Sequence, residues 1–370
     1  MSTAVDGLIH LLPRQEAEAT PPCLTGNDFN GNIGLRISAV FVILVTSSFG
    51  TLFPLIARRV PSVKVPEVVF FLCKFFGSGV IVATAFIHLL EPANAALSNP
   101  CLAGPITSYP WAQGIALMSV FSMFFVELMT MRYAKFDSFT GALAQERRPN
   151  VSSTSSSISV AKRAPADIEP STHIHSHEME QRNSADVVPA ECPADHIDVE
   201  SQSMIDNYVA QLTAVFILEF GVIFHSVFIG LTLAVSGLEF KTLYIVLVFH
   251  QMFEGLGLGS RLASMQWPEN KRVTPWIMAI AYGLSTPTAI AVGLGVRGTY
   301  PPNGQTTLIV NGIFDSISAG ILLFTGLVEL MAHDFLFSNT MREASAPTLF
   351  TAFGSMVLGA GLMALLGKWA

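Results

Sequence analysis

His225-Ser226-Val227-Phe228-Ile229-Gly230 and His250-Gln251-Met252-Phe253-Glu254-Gly255 lie inside two long apolar runs, at about 209–235 and 242–264. Roughly 20 apolar residues suffice to cross the bilayer core as a helix. Both runs therefore read as membrane-spanning helices, each carrying a histidine and further polar groups at membrane depth. Such groups are costly in hydrocarbon and mark functional sites. The two stretches also match in order, with His, a polar residue, then Phe and Gly at the same offsets.

Working outward, six more runs have the same character, at about 35–57, 67–90, 111–133, 273–296, 307–331 and 346–367. The expected fold is an all-α membrane protein with eight transmembrane helices. Composition agrees: 13% of residues are charged, against about a quarter in soluble proteins, and the mean hydropathy is +0.51. The net charge of −7 then says little about partners, because most charges sit in loops. No nucleic-acid partner is expected; the bilayer is.

The stretch between the third and fourth helices differs. Residues 134–208 are rich in Ser, Pro, Glu, Arg and Asp, including Val151–Ser159, and are expected to be a disordered loop. Basic residues set the orientation. Arg58, Arg59 and Lys64 follow the first helix, Lys135, Arg147, Arg148, Lys162, Arg163 and Arg182 fill the long loop, and Lys271 and Arg272 follow the fifth helix. All fall on one side, which is expected to be cytosolic. Both termini then lie outside, with 1–34 as an extracellular segment, 35–133 as helices one to three and 209–370 as helices four to eight.

The first dozen residues lack a secretory h-region, so the first span is expected to act as the insertion signal. Cys23 and Cys101 share the outer side, where a disulfide is allowed but not required. Asn150-Val151-Ser152 is a glycosylation sequon that a cytosolic loop would never expose to the glycosylation machinery. Lys74, inside the second span, lies toward its cytosolic end and can snorkel.

Within the fourth helix Glu219 and Ser226 are seven apart and share a face. In the fifth, His250 and Glu254 are four apart, with Gln251 alongside. His225 lies a dozen residues before the turn at Gly237, and His250 nine after Lys241. In antiparallel neighbours the two imidazoles come to one depth. His225, Ser226, His250, Gln251 and Glu254 thus form a mixed nitrogen/oxygen metal site, suited to transition metals. Intramembrane zinc proteases use His-Glu-x-x-His; here no carboxylate directly follows either His, so hydrolysis is not expected.

Other polar residues mark a route. His88, near the outer end of the second helix and followed by Glu91-Pro92, is placed to capture an ion from outside. Glu127 sits in the third helix, and Asp315 comes early in the seventh. Glu329, His333 and Asp334 come late, as an exit relay or as a polar helix end facing water. Ser285-Thr286-Pro287-Thr288 is expected to loosen the sixth helix. His173, His175 and His177 in the long loop can bind metal weakly, for sensing or buffering.

These residues resemble the ZIP family (zinc-regulated, iron-regulated transporter-like) of metal-ion transporters, in its fungal and plant branch. The likeness is carried by Asn30–Ser38, Ala85–Leu90, Leu218–Gly221, His225–Gly230, His250–Gly255 and Phe314–Gly320. It implies eight helices, extracellular termini and divalent metal, above all Zn²⁺, moving to the cytosol, with Fe²⁺, Mn²⁺ or Cd²⁺ as other cargo and no organic cofactor. His225, Ser226, His250, Gln251 and Glu254 match the family's transport-site positions. Some members carry a carboxylate where this chain has Ile229, so one main metal is expected, with at most a weak second. The resemblance further implies a metal-bearing bundle moving against a more static one, in a dimer. Import at the plasma membrane is the leading expectation. Export, release from an internal compartment and a non-transporting sensor are the alternatives. Neutral imidazole is needed for binding, so external acid is expected to weaken uptake.

Overall fold

In the computed structural model, the described residues are Cys23, Gly26, 29–60, 65–133, 194–298, 301 and 303–369, with backbone alone for 194–210. Among the described residues, eight helices are long and apolar enough to span a membrane. They are α1 (Ile33–Arg59), α2 (Glu67–Leu97), α3 (Trp111–Tyr133), α4 (Ala194–Val235), α5 (Phe240–Ser264), α6 (Thr274–Val296), α7 (Gln305–Phe337) and α8 (Ala346–Leu366). No strand occurs among the described residues. In hydrocarbon a helix is the one open-chain structure that satisfies its own backbone. Lys135–Asn207 forms a separate unit, described only from Ala194, where the backbone is helical. The expectations for Asn150 and for His173, His175 and His177 lie outside the described residues.

Two helices run well past the C-terminal ends that their hydropathy suggests. α2 passes through a π-helical segment at Thr84–Leu90 and continues to Leu97. Pro92 can donate no bond to the carbonyl four residues back and would crowd it; the wider π turn accommodates this. α7 likewise becomes π-helical over Thr325–Phe337. α6, expected to loosen at Pro287, stays helical throughout. The carbonyl that Pro287 leaves free belongs to Gly283, and Ser47 Oγ of α1 donates to it at 3.1 Å. A side chain from a neighbouring helix thus replaces the missing bond.

The helices pack as two quartets. α1 lies against α5 and α6, and α4 joins α6 where Gly230 meets Thr286 and Gly293 meets Leu231. In the second quartet α2 lies against α8 and α7, and α3 against α7. The quartets meet where α2 crosses α5 and where Gly221 of α4 sits on Ile321 and Leu322 of α7. At the first crossing a Cβ on Gly257 would fall 2.7 Å from the Gly77 Cα, so only glycine fits.

One end of the bundle, here the disulfide end, carries the Cys23–Cys101 bond, with Cα atoms 4.9 Å apart. The bridge left open by the sequence is formed. The opposite, basic end carries Arg58, Arg59, Lys271 and Arg272.

Arg36 is fully buried at the disulfide end. Its Nε donates to Gly31 O, its Nη1 to Leu233 O and Ala234 O, and its Nη2 to Ser236 O and the Asn30 side chain, all between 2.6 and 3.2 Å. It also stacks on the Phe240 ring at 4.3 Å. All five guanidinium donors are used, and three serve the carbonyls that end α4. A lysine has three donors in a compact head and cannot span this set. Arg36→Lys is expected to lower stability by about 3 kcal/mol or more, read as a fall in the unfolding temperature of detergent-purified protein. An unchanged midpoint would contradict this account of the α4–α5 turn.

Candidate metal centre

Along α4, Val215, Leu218, Val222, His225 and Ile229 recur at three- and four-residue spacing and form one stripe. Along α5 the corresponding stripe is Leu247, His250, Glu254, Leu258 and Arg261. The helices are antiparallel, so the stripes meet with their histidines level.

His225 Nε2 lies 3.4 Å from His250 Nε2, and His250 Nε2 lies 3.5 Å from Glu254 Oε1. The three residues offer ligand atoms all within 4.8 Å of one another. Each side chain is at most 2% exposed. Two nitrogens bound tetrahedrally to zinc at about 2.0–2.1 Å stand about 3.3 Å apart. The His–His and His–Glu separations both suit that edge. Both Glu254 oxygens and the Nδ1 atoms of both histidines lack hydrogen-bond partners. Burying such groups unpaired is expensive. A cation held between them would engage the carboxylate and the facing imidazole nitrogens, and in low dielectric the carboxylate attracts a dication strongly. The donor set fits zinc as cargo.

Ser226 and Gln251 are fully buried, and their side-chain polar atoms also lack partners. Each sits one residue beyond its histidine, about a quarter turn around the helix. Tyr282 of α6 donates its hydroxyl to Gln251 O at 2.8 Å and pins α5 at this level. His88 lies deeper than its sequence position implied, because α2 extends to Leu97. Its ring centroid is 5.0 Å from that of His250. His88 Nε2 lies 2.9 Å from Met363 O of α8. A carbonyl only accepts, so Nε2 carries the proton and Nδ1 keeps the lone pair.

The remaining candidates scatter. Glu91 is exposed, and Asp315 and Glu127 are half-buried. Glu219 is buried with both oxygens unpartnered. Glu329 and His333 line a cavity toward the basic end. Asp334, read from the sequence as part of an exit relay, is held by Lys74 at 3.0 Å and Arg261 at 2.8 Å. Lys74 therefore does more than snorkel. Arg261, a basic residue at the cytosolic end of the fifth span, also falls seven residues from Glu254 on the same face. Opposite charges at matching depth in separate spans were the available signal.

Cavities flank the centre on both sides. Toward the disulfide end, a space of about 40 Å³ is lined by His88, Ile229, Leu233, Leu247 and His250. Toward the basic end, one of about 120 Å³ is lined by Leu218, Arg261, Glu329, Leu330, His333 and Asp334 among others. Leu218 and Val222 on α4 and Leu258 on α5 continue the histidine stripes toward the basic end and are buried with Leu322 of α7 in one apolar cluster, which puts this layer between the histidines and the second cavity that Leu218 also lines.

Comparison with known proteins gives the family. The family model for the ZIP zinc transporter matches residues 33–367. The zinc-regulated transporter 2 of Saccharomyces cerevisiae is 41% identical, over 98% of this chain and the whole of the relative. The zinc-regulated transporter 1 of the same yeast is 43% identical over 93% of this chain and 90% of its own length. Zinc transporter 5 of Oryza sativa subsp. japonica is 32% identical over 97% of this chain and 94% of the relative. Those are relatives over whole chains, and the matched span takes in all eight helices. This chain is a member of the ZIP zinc transporter family, a family of membrane transporters and not of enzymes.

Proposed function

We propose that the protein imports Zn²⁺ into the cytosol, one ion at a time, through His225, His250 and Glu254. The observation that carries this reading is the convergence of three buried ligand atoms between two cavities. Ser226 and Gln251 supply auxiliary oxygen ligands. His88 Nδ1 meets the incoming ion first, since His88 lines the smaller cavity beside His250. That cavity has room for only a few waters, so the ion sheds most of its hydration shell there. Ile229 lines the same space, where a carboxylate would be needed to bridge a second ion.

Direction follows from the basic end facing the cytosol. The plasma membrane suits uptake from outside. A mixed nitrogen/oxygen site also admits Fe²⁺, Mn²⁺ or Cd²⁺ as competitors. α3 leaves Phe121, Phe124 and Phe125 exposed, a surface for lipid or, in a dimer, for a second copy.

The test uses radioactive zinc in zinc-depleted cells producing the protein. Cell-associated zinc should rise with saturable kinetics. Loss of preloaded zinc from an internal compartment would instead support release, and saturable binding to proteoliposomes without flux would support a sensor.

A further inference from the structure

A metal held by His225, His250 and Glu254 reaches the basic end only if the Leu218, Val222, Leu258 and Leu322 layer parts. This premise rests on the transport reading above. Two of those residues come from α4, one from α5 and one from α7. The layer therefore straddles the seam between the quartets.

Directly beneath it, side chains from three helices meet. Arg261 Nη2 donates to Asp334 Oδ2 at 2.8 Å and to Ser78 Oγ at 3.0 Å. Lys74 Nζ donates to the other oxygen, Asp334 Oδ1, at 3.0 Å. Lys74 and Ser78 belong to α2 and Asp334 to α7, within one quartet. Arg261 belongs to α5 of the other. The Lys74–Asp334 pair thus ties its own quartet together and holds the carboxylate in place, while Arg261 alone of the three charges reaches across.

The local packing puts weight on that polar bridge. One residue before Ser78 and four before Arg261, Gly77 and Gly257 touch backbone to backbone. The glycine contact itself interlocks no side chains, and beside it the Phe76 and Phe253 rings meet edge to face at 5.4 Å, a contact with no polar directionality to hold the crossing. The bridge is also shielded, with Arg261 and Asp334 side chains 11% and 13% exposed. Its strength is therefore not dispersed by bulk water, as a surface pair's would be. Arg261 Nε is buried without a partner. Glu329, on α7 in the same cavity, offers the guanidinium another acceptor once Asp334 is released.

We infer that the Arg261–Asp334 bridge is a latch on the inner gate, made while the metal centre is closed to the basic end and broken when it opens. Lys74 presets Asp334 for the latch, and Arg261 is the member that lets go. Arg261 and Asp334 position the gate and do not ligate the ion.

The experiment uses full-length protein in inside-out membrane vesicles, with Cys73 and Cys192 replaced by Ser and the Cys23–Cys101 bond kept. Val222→Cys, within the apolar layer on its histidine side, reports access of a charged methanethiosulfonate reagent from the basic side. Arg261→Gln and Asp334→Asn should each speed labelling about tenfold, and the double variant should be no faster than either. Arg261→Lys, which keeps the cation, should stay nearer the parent rate. Parent-like labelling in both neutral variants at parent abundance overturns the proposal, as do effects that multiply in the double variant. Should one neutral variant fail to accumulate, the other decides together with Arg261→Lys. Labelling is read without zinc flux, so a failed latch is separable from a failed transport site.

Discussion

Zinc accumulation should fall to the level of cells lacking the protein when His225 and His250 are both replaced by Ala. Of the three atoms within 4.8 Å of one another, only the Glu254 carboxylate then remains. A lone carboxylate in a dehydrated setting cannot repay the hydration that zinc gives up. Disturbing the groups that merely orient metal ligands costs 10–100-fold in affinity, so loss of two ligands should exceed about a hundredfold. Single replacements should each come close to the double, because the histidines act on one ion. The variant should still reach the membrane, since the change deletes polar atoms that are buried without partners. Initial rates of radioactive zinc uptake, normalised to surface abundance, make the measurement. A double variant retaining half the parent rate would place the transport site elsewhere.

Glu254→Gln comes next in size. The replacement keeps volume and shape at a position 1% exposed but removes the only carboxylate of the trio. Charge attraction is strongest where water is scarce, and an amide oxygen is a poor substitute for a carboxylate. Uptake efficiency, Vmax/KM, should fall about a hundredfold. Glu254→Asp should recover part of it, limited by a shorter reach toward the His250 level. Efficiency equal to the parent's in Glu254→Gln would leave the imidazoles as the whole site.

The membrane helices were legible because hydrocarbon admits few alternatives. The expected 111–133 and 273–296 lie within a residue of Trp111–Tyr133 and Thr274–Val296. The errors at two helix ends share one cause. Expected ends at 90 and 331 became Leu97 and Phe337, as π-helical turns carried the chain past Pro92 and past Glu329 and Asp334. Hydropathy registers the polar residues there but not the backbone geometry that accommodates them. Pro287 misled in the same way, for its consequence depended on Ser47 in another helix.

At the candidate site, the convergence of His225, His250 and Glu254 was readable because helical spacing fixes which residues share a face, and a short antiparallel connection fixes relative depth. Asp334, expected in an exit relay or at a polar helix end facing water, is paired with Lys74 and Arg261, a pairing hidden from the sequence because these partners sit on α2 and α5. Arg36 looked like an ordinary residue before the first span, and only folding revealed its five bonds to the end of α4 and the segment before α1.

The sequence by itself determined eight helices, their order, and the depth at which two imidazoles and a carboxylate enter the membrane. Those properties follow from chain-local rules: the need to satisfy the backbone in lipid and the period of the helix. The tertiary structure decided the 3.4 Å between the histidines, the apolar layer beneath them and the Arg261–Asp334 bridge. These depend on how closely separate helices approach, and that is set at crossings such as Gly77–Gly257 by side chains that are absent as much as by those present.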